Sequence, residues 1–265
     1  MERRRLGTGR RPPRAAAIDL DDVIYGVHAV EEALAAQEPV RRIHVGDDRK
    51  RDPALRLLLE RAQELAVPVR FENRSFYSQF PYRAHQSVVA FGEPFAYVSL
   101  DEALAKRTTP GYRLIVVLDH ITDPHNAGAI IRTAECVGAD AVVIPERRAA
   151  GVNATVRKAA AGATAHIPIA RVANVASSLR VLRKANLWIA GAAADATAVD
   201  YTAADFDRDL AIVIGAEGDG ISPVVRKECD YLVSIPLFGE IGSLNASVAA
   251  GVLLYEVRRQ RNGAT

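Results

Sequence analysis

The sequence is poor in the residues that metal, disulfide and membrane chemistry need. Only Cys136 and Cys229 stand in 265 residues. They are far apart, without the paired spacing of a zinc site, and read as reduced thiols in a cytoplasmic protein. The six histidines are scattered, and only His120 and His125 fall near a polar block. There is no His-Glu-x-x-His, no Gly-x-Ser-x-Gly, and no Gly-Lys-Ser/Thr after a glycine loop. These absences speak against zinc-protease, hydrolase and P-loop chemistry. No metal is expected. No apolar run approaches the ~20 residues of a membrane span. The basic N-terminus is not followed by the apolar stretch of a secretory signal. Lysine is scarce as well, 5 residues against 29 arginines. That bias favours phosphate recognition, or equally reflects genome composition in an alanine-rich chain.

The charge that is present is unevenly placed. Residues 1–14 hold six Arg and one Glu, so the tail carries +5 and the remaining 251 residues sum to −3. Polyanion binding by the body must therefore come from local patches. Residues 1–21 read as a disordered basic tail. Residues 22–95 read as a small αβ unit, in which Val23-Ile24-Tyr25-Gly26 leads into a helical pattern and strands are expected at Val40–Val45, Val67–Phe71 and Ser87–Phe91. A helix starts there at Asp52-Pro53. Residues 96–112 suit a linker around a short helical stretch. Residues 113–265 alternate apolar runs with helical patterns. The runs are Leu114–Leu118, Ala141–Ile144, Trp188–Ala190, Leu210–Ile214 and Leu232–Pro236, and the last helix spans 244–260. Such runs fit buried parallel strands, so the fold class is α/β with a mostly parallel sheet.

Three polar blocks follow apolar runs and precede helical patterns, where an α/β sheet presents ligands. The first is Asp123-Pro124-His125-Asn126 with Arg132. The second is Gly215-Ala216-Glu217-Gly218-Asp219-Gly220. The third is Ser243-Leu244-Asn245-Ala246-Ser247. Asn126 and Ser243 both suit helix N-caps as well as a site. Arg132 follows Ile130-Ile131 near a buried stripe and needs a partner, a carboxylate or a phosphate. The glycines of the second block match neither the dinucleotide fingerprint nor a Walker A loop. They read as a flexible turn, or as backbone that approaches a ligand closely, with Glu217 held at a strand end.

Together these blocks resemble the three motifs of the SpoU RNA ribose 2′-O-methyltransferases, in the SPOUT superfamily. Ile24-Tyr25-Gly26-Val27-His28-Ala29-Val30 resembles the start of an RNA-binding domain of the ribosomal protein L30e type, found in members that methylate a guanosine of 23S rRNA. The resemblance implies a C-terminal trefoil knot that holds S-adenosylmethionine, with Gly215, Ile235 and Leu244 at cofactor-contacting positions. Gly218, Gly220 and Ser247 are placed beside them. It implies a cytoplasmic homodimer in which Arg132 of one subunit faces the cofactor of the other. Asn126, Arg132, Glu217, Ser243 and Asn245 form the expected catalytic set. RNA contacts are expected at Arg41, Arg42, Arg49, Lys50 and Arg51, residues that a solvated face would explain equally. The expected reaction is 2′-O-methylation of a guanosine in the peptidyl-transferase region of 23S rRNA. The alternatives are a tRNA guanosine or an antibiotic-resistance site in 23S rRNA, and, in a different class, a non-catalytic RNA-binding protein.

Overall fold

A computed structural model describes residues 23–80, 85–107, 111–195 and 197–262, and the expected basic tail lies outside the described residues. The first layer contains β1 (Val23–Tyr25), α1 (Val27–Ala35), β2 (Val40–Gly46), α2 (Arg56–Glu64), β3 (Val69–Glu72), α3 (Arg74–Tyr77) and β4 (Val88–Gly92). Its sheet has the order β1-β4-β2-β3. Strand alternation sends side chains to two faces. Ile24, Ile43, Val45, Val88 and Ala90 meet the apolar stripes of α1 and α2. Val23, Tyr25, Val89 and Phe91 face an aromatic cluster with Phe76, Tyr77 and Phe80. Asp52 accepts from Ala54 N at 2.9 Å, and Pro53 opens a single 3-10 turn that leads into α2.

The second layer contains α4 (Leu100–Ala105), β5 (Leu114–Asp119), α5 (Pro124–Cys136), β6 (Ala141–Pro145), α6 (Ala154–Ala160), β7 (Ile169–Val172) and α7 (Val175–Lys184). It continues with β8 (Trp188–Ala192), β9 (Val199–Asp200), β10 (Leu210–Gly215), α8 (Pro223–Arg226), β11 (Tyr231–Ser234) and α9 (Ala246–Asn262). The seven strands take the order β7-β6-β5-β10-β8-β11-β9, and every described pairing among them is parallel. All six residues of β5 and of β10 are buried, which is why both read as unbroken apolar runs. Leu114, Val116, Leu118, Leu210, Ile212 and Ile214 pack under α5, α6 and α9. Ile115, Val117, Ala211 and Val213 pack against the opposite layer with Ala103, Leu179, Leu182 and Val225. The result is a helix–sheet–helix sandwich.

Two strands differ from the sequence expectation. In β7 the exposed Arg171 interrupts Ile-Ala-Arg-Val after Pro168, and β9 is a two-residue edge. Neither is long enough to show a period. The described part of 96–112, expected as a linker, is built into the second layer. Val98 N donates to Ile169 O at 3.0 Å, Arg171 N donates to Val98 O at 3.3 Å, and Ala103 is fully buried. A Ser99/Glu102 capping box starts α4.

The two layers meet through α6. Ala154 joins the aromatic face of the first sheet. The buried Arg157 forms an ion pair with Glu38 and lies 5.3 Å from the Phe95 ring, and Lys158 lies 4.6 Å from the Tyr25 ring. At the far end of α9, Arg261 donates to the carbonyls of Phe206, Tyr112, Arg113 and Arg208 at 2.7–3.2 Å. Burial pushes its guanidinium below the ordinary arginine value.

Candidate active site

All three polar blocks lie on one side of the central strands. The first block leaves the end of β5, the second leaves the end of β10, and Asp119 and Gly215 are direct partners in register. Asp119 is fully buried and its Oδ2 accepts from Ser222 N at 2.7 Å, so the end of β5 holds the loop after β10. A Cβ on Gly215 would sit 2.1 Å from Gly220 C and 2.3 Å from Gly220 O. Only glycine lets the second loop fold back, which it does through paired Ala216–Gly220 backbone bonds of 3.0 and 2.8 Å. Gly218 and Gly220 adopt φ 84 and φ 66, the left-handed conformation that favours glycine.

The blocks are joined by a directional network. Asn245 Oδ1 accepts from Ser247 N at 2.9 Å, Ser247 Oγ at 2.7 Å and Val248 N at 3.3 Å. That cap turns the Asn245 amide nitrogen the other way. It donates to Asn126 Oδ1 at 2.9 Å and to Glu217 Oε2 at 3.4 Å. With its oxygen so engaged, Asn126 donates through Nδ2 to Glu217 Oε2 at 3.2 Å. Asn126 is buried and Glu217 is exposed. A carboxylate suits the position where two amide nitrogens converge, because it only accepts.

Two capping expectations are corrected. Asp123 caps α5 by accepting from His125 N, which frees Asn126 for the network. Asn245, not Ser243, caps α9, and Ser243 is exposed two residues earlier. Arg132 is corrected too. The 3.6-residue period turns it away from Ile130 and Ile131, so it is exposed and, among the described residues, makes no hydrogen bond or ion pair.

Beside the network lies a cavity of about 320 Å³. It is lined by the loop after β8 (residues 192–195), the second block and the segment that leads into α9. Gly215, Glu217, Gly218, Gly220, Ile235, Ser243 and Leu244 all contribute. Arg132, Asn126, Asn245 and Ser247 do not line it, and Ser247 is engaged with Asn245 instead. Sequence reasoning missed Asp195 and Arg226, which line the cavity as an ion pair. Hydrogen bonds from Thr197 and then Arg226 hold the Asp195 carboxyl down to about 2. The missed signal was positional, because β8 neighbours β10 and its carboxyl end must open on the same side.

The expected RNA-contacting residues are divided among local partners. Arg41 pairs with Glu93 and Arg49 with Asp52. Arg42 lies 4.3 Å from the Phe91 ring and Lys50 lies 5.2 Å from the Phe71 ring. Arg51 is exposed. Among the described residues no group of three or more His, Cys, Asp or Glu is placed to hold a metal ion, and no helix is long and apolar enough to cross a membrane.

A parallel sheet with its polar loops converging on one cavity defines a ligand-binding α/β protein. The chain belongs to the SpoU rRNA methylase family, whose model matches residues 113–255, and residues 23–98 match the RNA 2′-O ribose methyltransferase substrate-binding model. It is 39% identical over 243 residues to a Staphylococcus haemolyticus protein assigned to the TrmH family of tRNA/rRNA methyltransferases, covering 91% of this chain and 97% of that one. The crystal structure of the SpoU methyltransferase AviRb from Streptomyces viridochromogenes, in complex with AdoMet, is similar with a TM-score of 0.76 and 27% identity. That match covers 91% of this chain and 90% of that one. An AdoMet-bound rRNA methyltransferase from Sinorhizobium meliloti matches with a TM-score of 0.73 and 25% identity, covering 89% of this chain and 86% of that one.

Proposed function

We propose that this chain transfers a methyl group from S-adenosylmethionine to a ribose 2′-oxygen of RNA, with a guanosine in the peptidyl-transferase region of 23S rRNA as the target. The observation that carries the reading is the Asn126–Glu217–Asn245 network, which ties three distant blocks to one cavity. The cavity fits an adenosyl group. Its volume of about 320 Å³ is at the small end for ligand sites. Its walls combine Ile235, Leu237, Leu244 and the 192–194 alanines with a rim of loop backbone and the carboxylates of Asp195 and Glu217. Gly215, Ile235 and Leu244 would hold the cofactor. When bound, it supplies a methyl group already activated on a sulfonium.

The rest of the work falls to the chain. The ribose hydroxyl is a poor nucleophile and must be positioned and deprotonated. Arginine stays protonated in proteins, so Arg132 acts as a phosphate clamp and stabilises the developing alkoxide. The proton leaves to a phosphate or to water. Asn126 positions the ribose or Arg132, Glu217 and Asn245 order the loops, and Ser243 contacts substrate or cofactor.

Arg132 does not line the cavity of its own chain, and this supports a homodimer in which a second copy supplies it. The outer face of α9 exposes Val248 and Tyr255, and Phe238 and Ile241 are exposed before Ser243, apolar surface that a second copy would cover. In this reading the segment from β11 to α9 passes through the chain as a trefoil knot, and the reaction takes place in the cytoplasm. A tRNA guanosine or another 23S site is the second reading, favoured by the tRNA/rRNA description of the relatives. Arg132→Ala is expected to cut methyl transfer roughly 10²–10³-fold and to leave S-adenosylmethionine affinity nearly unchanged in calorimetry. Normal turnover in that variant would sink the assigned role.

A further inference from the structure

Two loops leave the same edge of the large sheet side by side, and their cations have no part in the reaction as described. The loop between β5 and α5 is stapled to the loop between β6 and α6, because Ala150 N donates to Ile121 O at 2.8 Å. The second loop is anchored at both ends. Glu146 N donates to Val172 O at 2.9 Å, and Val152 N donates to the Tyr97 hydroxyl at 2.7 Å. Between these anchors Arg147 and Arg148 are exposed and, among the described residues, make no hydrogen bond or ion pair. Many other arginines are already engaged. Arg157, Arg180, Arg183, Arg208, Arg226 and Arg259 pair with carboxylates.

The backbone adds an independent observation. Arg148 holds φ 56 and His120, on the stapled neighbour, holds φ 60. Left-handed backbone is uncommon for an arginine and persists where surrounding structure over-determines it, commonly at ligand-binding loops. The position is also informative. The loop starts at the carboxyl end of β6, next to the strand that carries the first block, and runs into α6, which packs on the first layer. The loop therefore joins a strand end beside the first block to the helix that supports the first layer. Planar guanidinium groups on a fixed loop suit phosphate oxygens.

We infer that Arg147 and Arg148 form an RNA clamp that grips the ribose-phosphate backbone beside the modified nucleotide. The clamp rests on the methyltransferase reading and adds a second phosphate-binding element to Arg132. Its test is filter binding of in-vitro-transcribed 23S rRNA across a KCl series, with the full chain and with Arg147→Gln/Arg148→Gln. Losing two phosphate contacts is expected to make the slope of log K against log[salt] shallower by roughly 1.4–1.8. In turnover the loss falls on KM and not on kcat. Arg147→Lys/Arg148→Lys is expected to restore the slope, because it keeps both charges. An unchanged slope in the Gln variant overturns the clamp, and so does a wild-type chain that binds no RNA. A wild-type chain that binds RNA but not S-adenosylmethionine instead overturns the methyltransferase reading, and the slope still decides the clamp.

Discussion

Asn245 does two jobs with two ends of one amide. Its oxygen caps α9, and its nitrogen reaches Asn126 and Glu217. Asn245→Ala removes both, and the cap alone is worth ~1 kcal/mol. Asn245→Asp keeps an acceptor for the cap but places a carboxylate against Glu217. The expected outcome is a lower Tm for the Ala variant and a smaller fall for the Asp variant, with S-adenosylmethionine binding weakened in both. Calorimetry and thermal melts check this, and unaltered cofactor binding in the Asp variant would contradict the network's role. At this scale the sequence was legible in residue type and block position but not in who caps whom. Asp123, Asn126, Ser243 and Asn245 are all good capping residues, and only the three-dimensional meeting of the loops decides which are left over for a site.

At the scale of elements, the first layer is held partly by one histidine. His44 on β2 is buried, bonds Glu72 at the end of β3 through Nδ1 at 2.9 Å, and stacks on Phe76 of α3 at 4.6 Å. Burial lowers its pKa below the ordinary 6.5, outweighing the upward pull of Glu72. The native state therefore keeps His44 neutral where the unfolded chain is already protonated. The unfolded state binds more protons, so stability is full above 6.5 and falls as pH drops below it. Hydrogen exchange of β2 and β4 amides is expected to lose protection between neutral and mildly acid pH. Half-buried His85, lowered in the same sense, adds to the slope. His44→Gln should flatten the pH dependence, and an equally steep one in that variant would contradict this assignment. Strands were the most legible elements. β5 and β10 announce themselves because burial on both faces leaves no polar interruption, whereas β7, broken by Arg171, and β9, two residues long, are too short to show a period.

At the scale of the whole molecule, α6 is the shared support of the two layers. It packs on β1 of the first layer and, through Gly128, on α5, where a Cβ would meet Ala159 Cβ at 2.5 Å. α5 carries Asn126 and Arg132, so the layer that matches the substrate-binding model and the helix that carries the first polar block share one support. The presence of a small αβ unit ahead of a mostly parallel α/β sheet was legible in the change of pattern along the chain. The docking of residues 98–105 onto the large sheet was not, because a single β-bridge and a six-residue helix leave no periodic trace. The cavity was legible in two of its three walls, and the third, at Asp195, comes from strand order, which no local pattern encodes.

The central claim is methyl transfer to a ribose of RNA at this cavity. The most direct test is to incubate the protein with methyl-labelled S-adenosylmethionine and in-vitro-transcribed 23S rRNA, then map the label by alkaline hydrolysis, which a 2′-O-methyl group blocks. The account predicts label on one ribose 2′-oxygen, at a guanosine, and an initial rate of labelling roughly 10²–10³-fold lower with Arg132→Ala. Label on a base, or no label on 23S rRNA or tRNA despite cofactor binding, would contradict it.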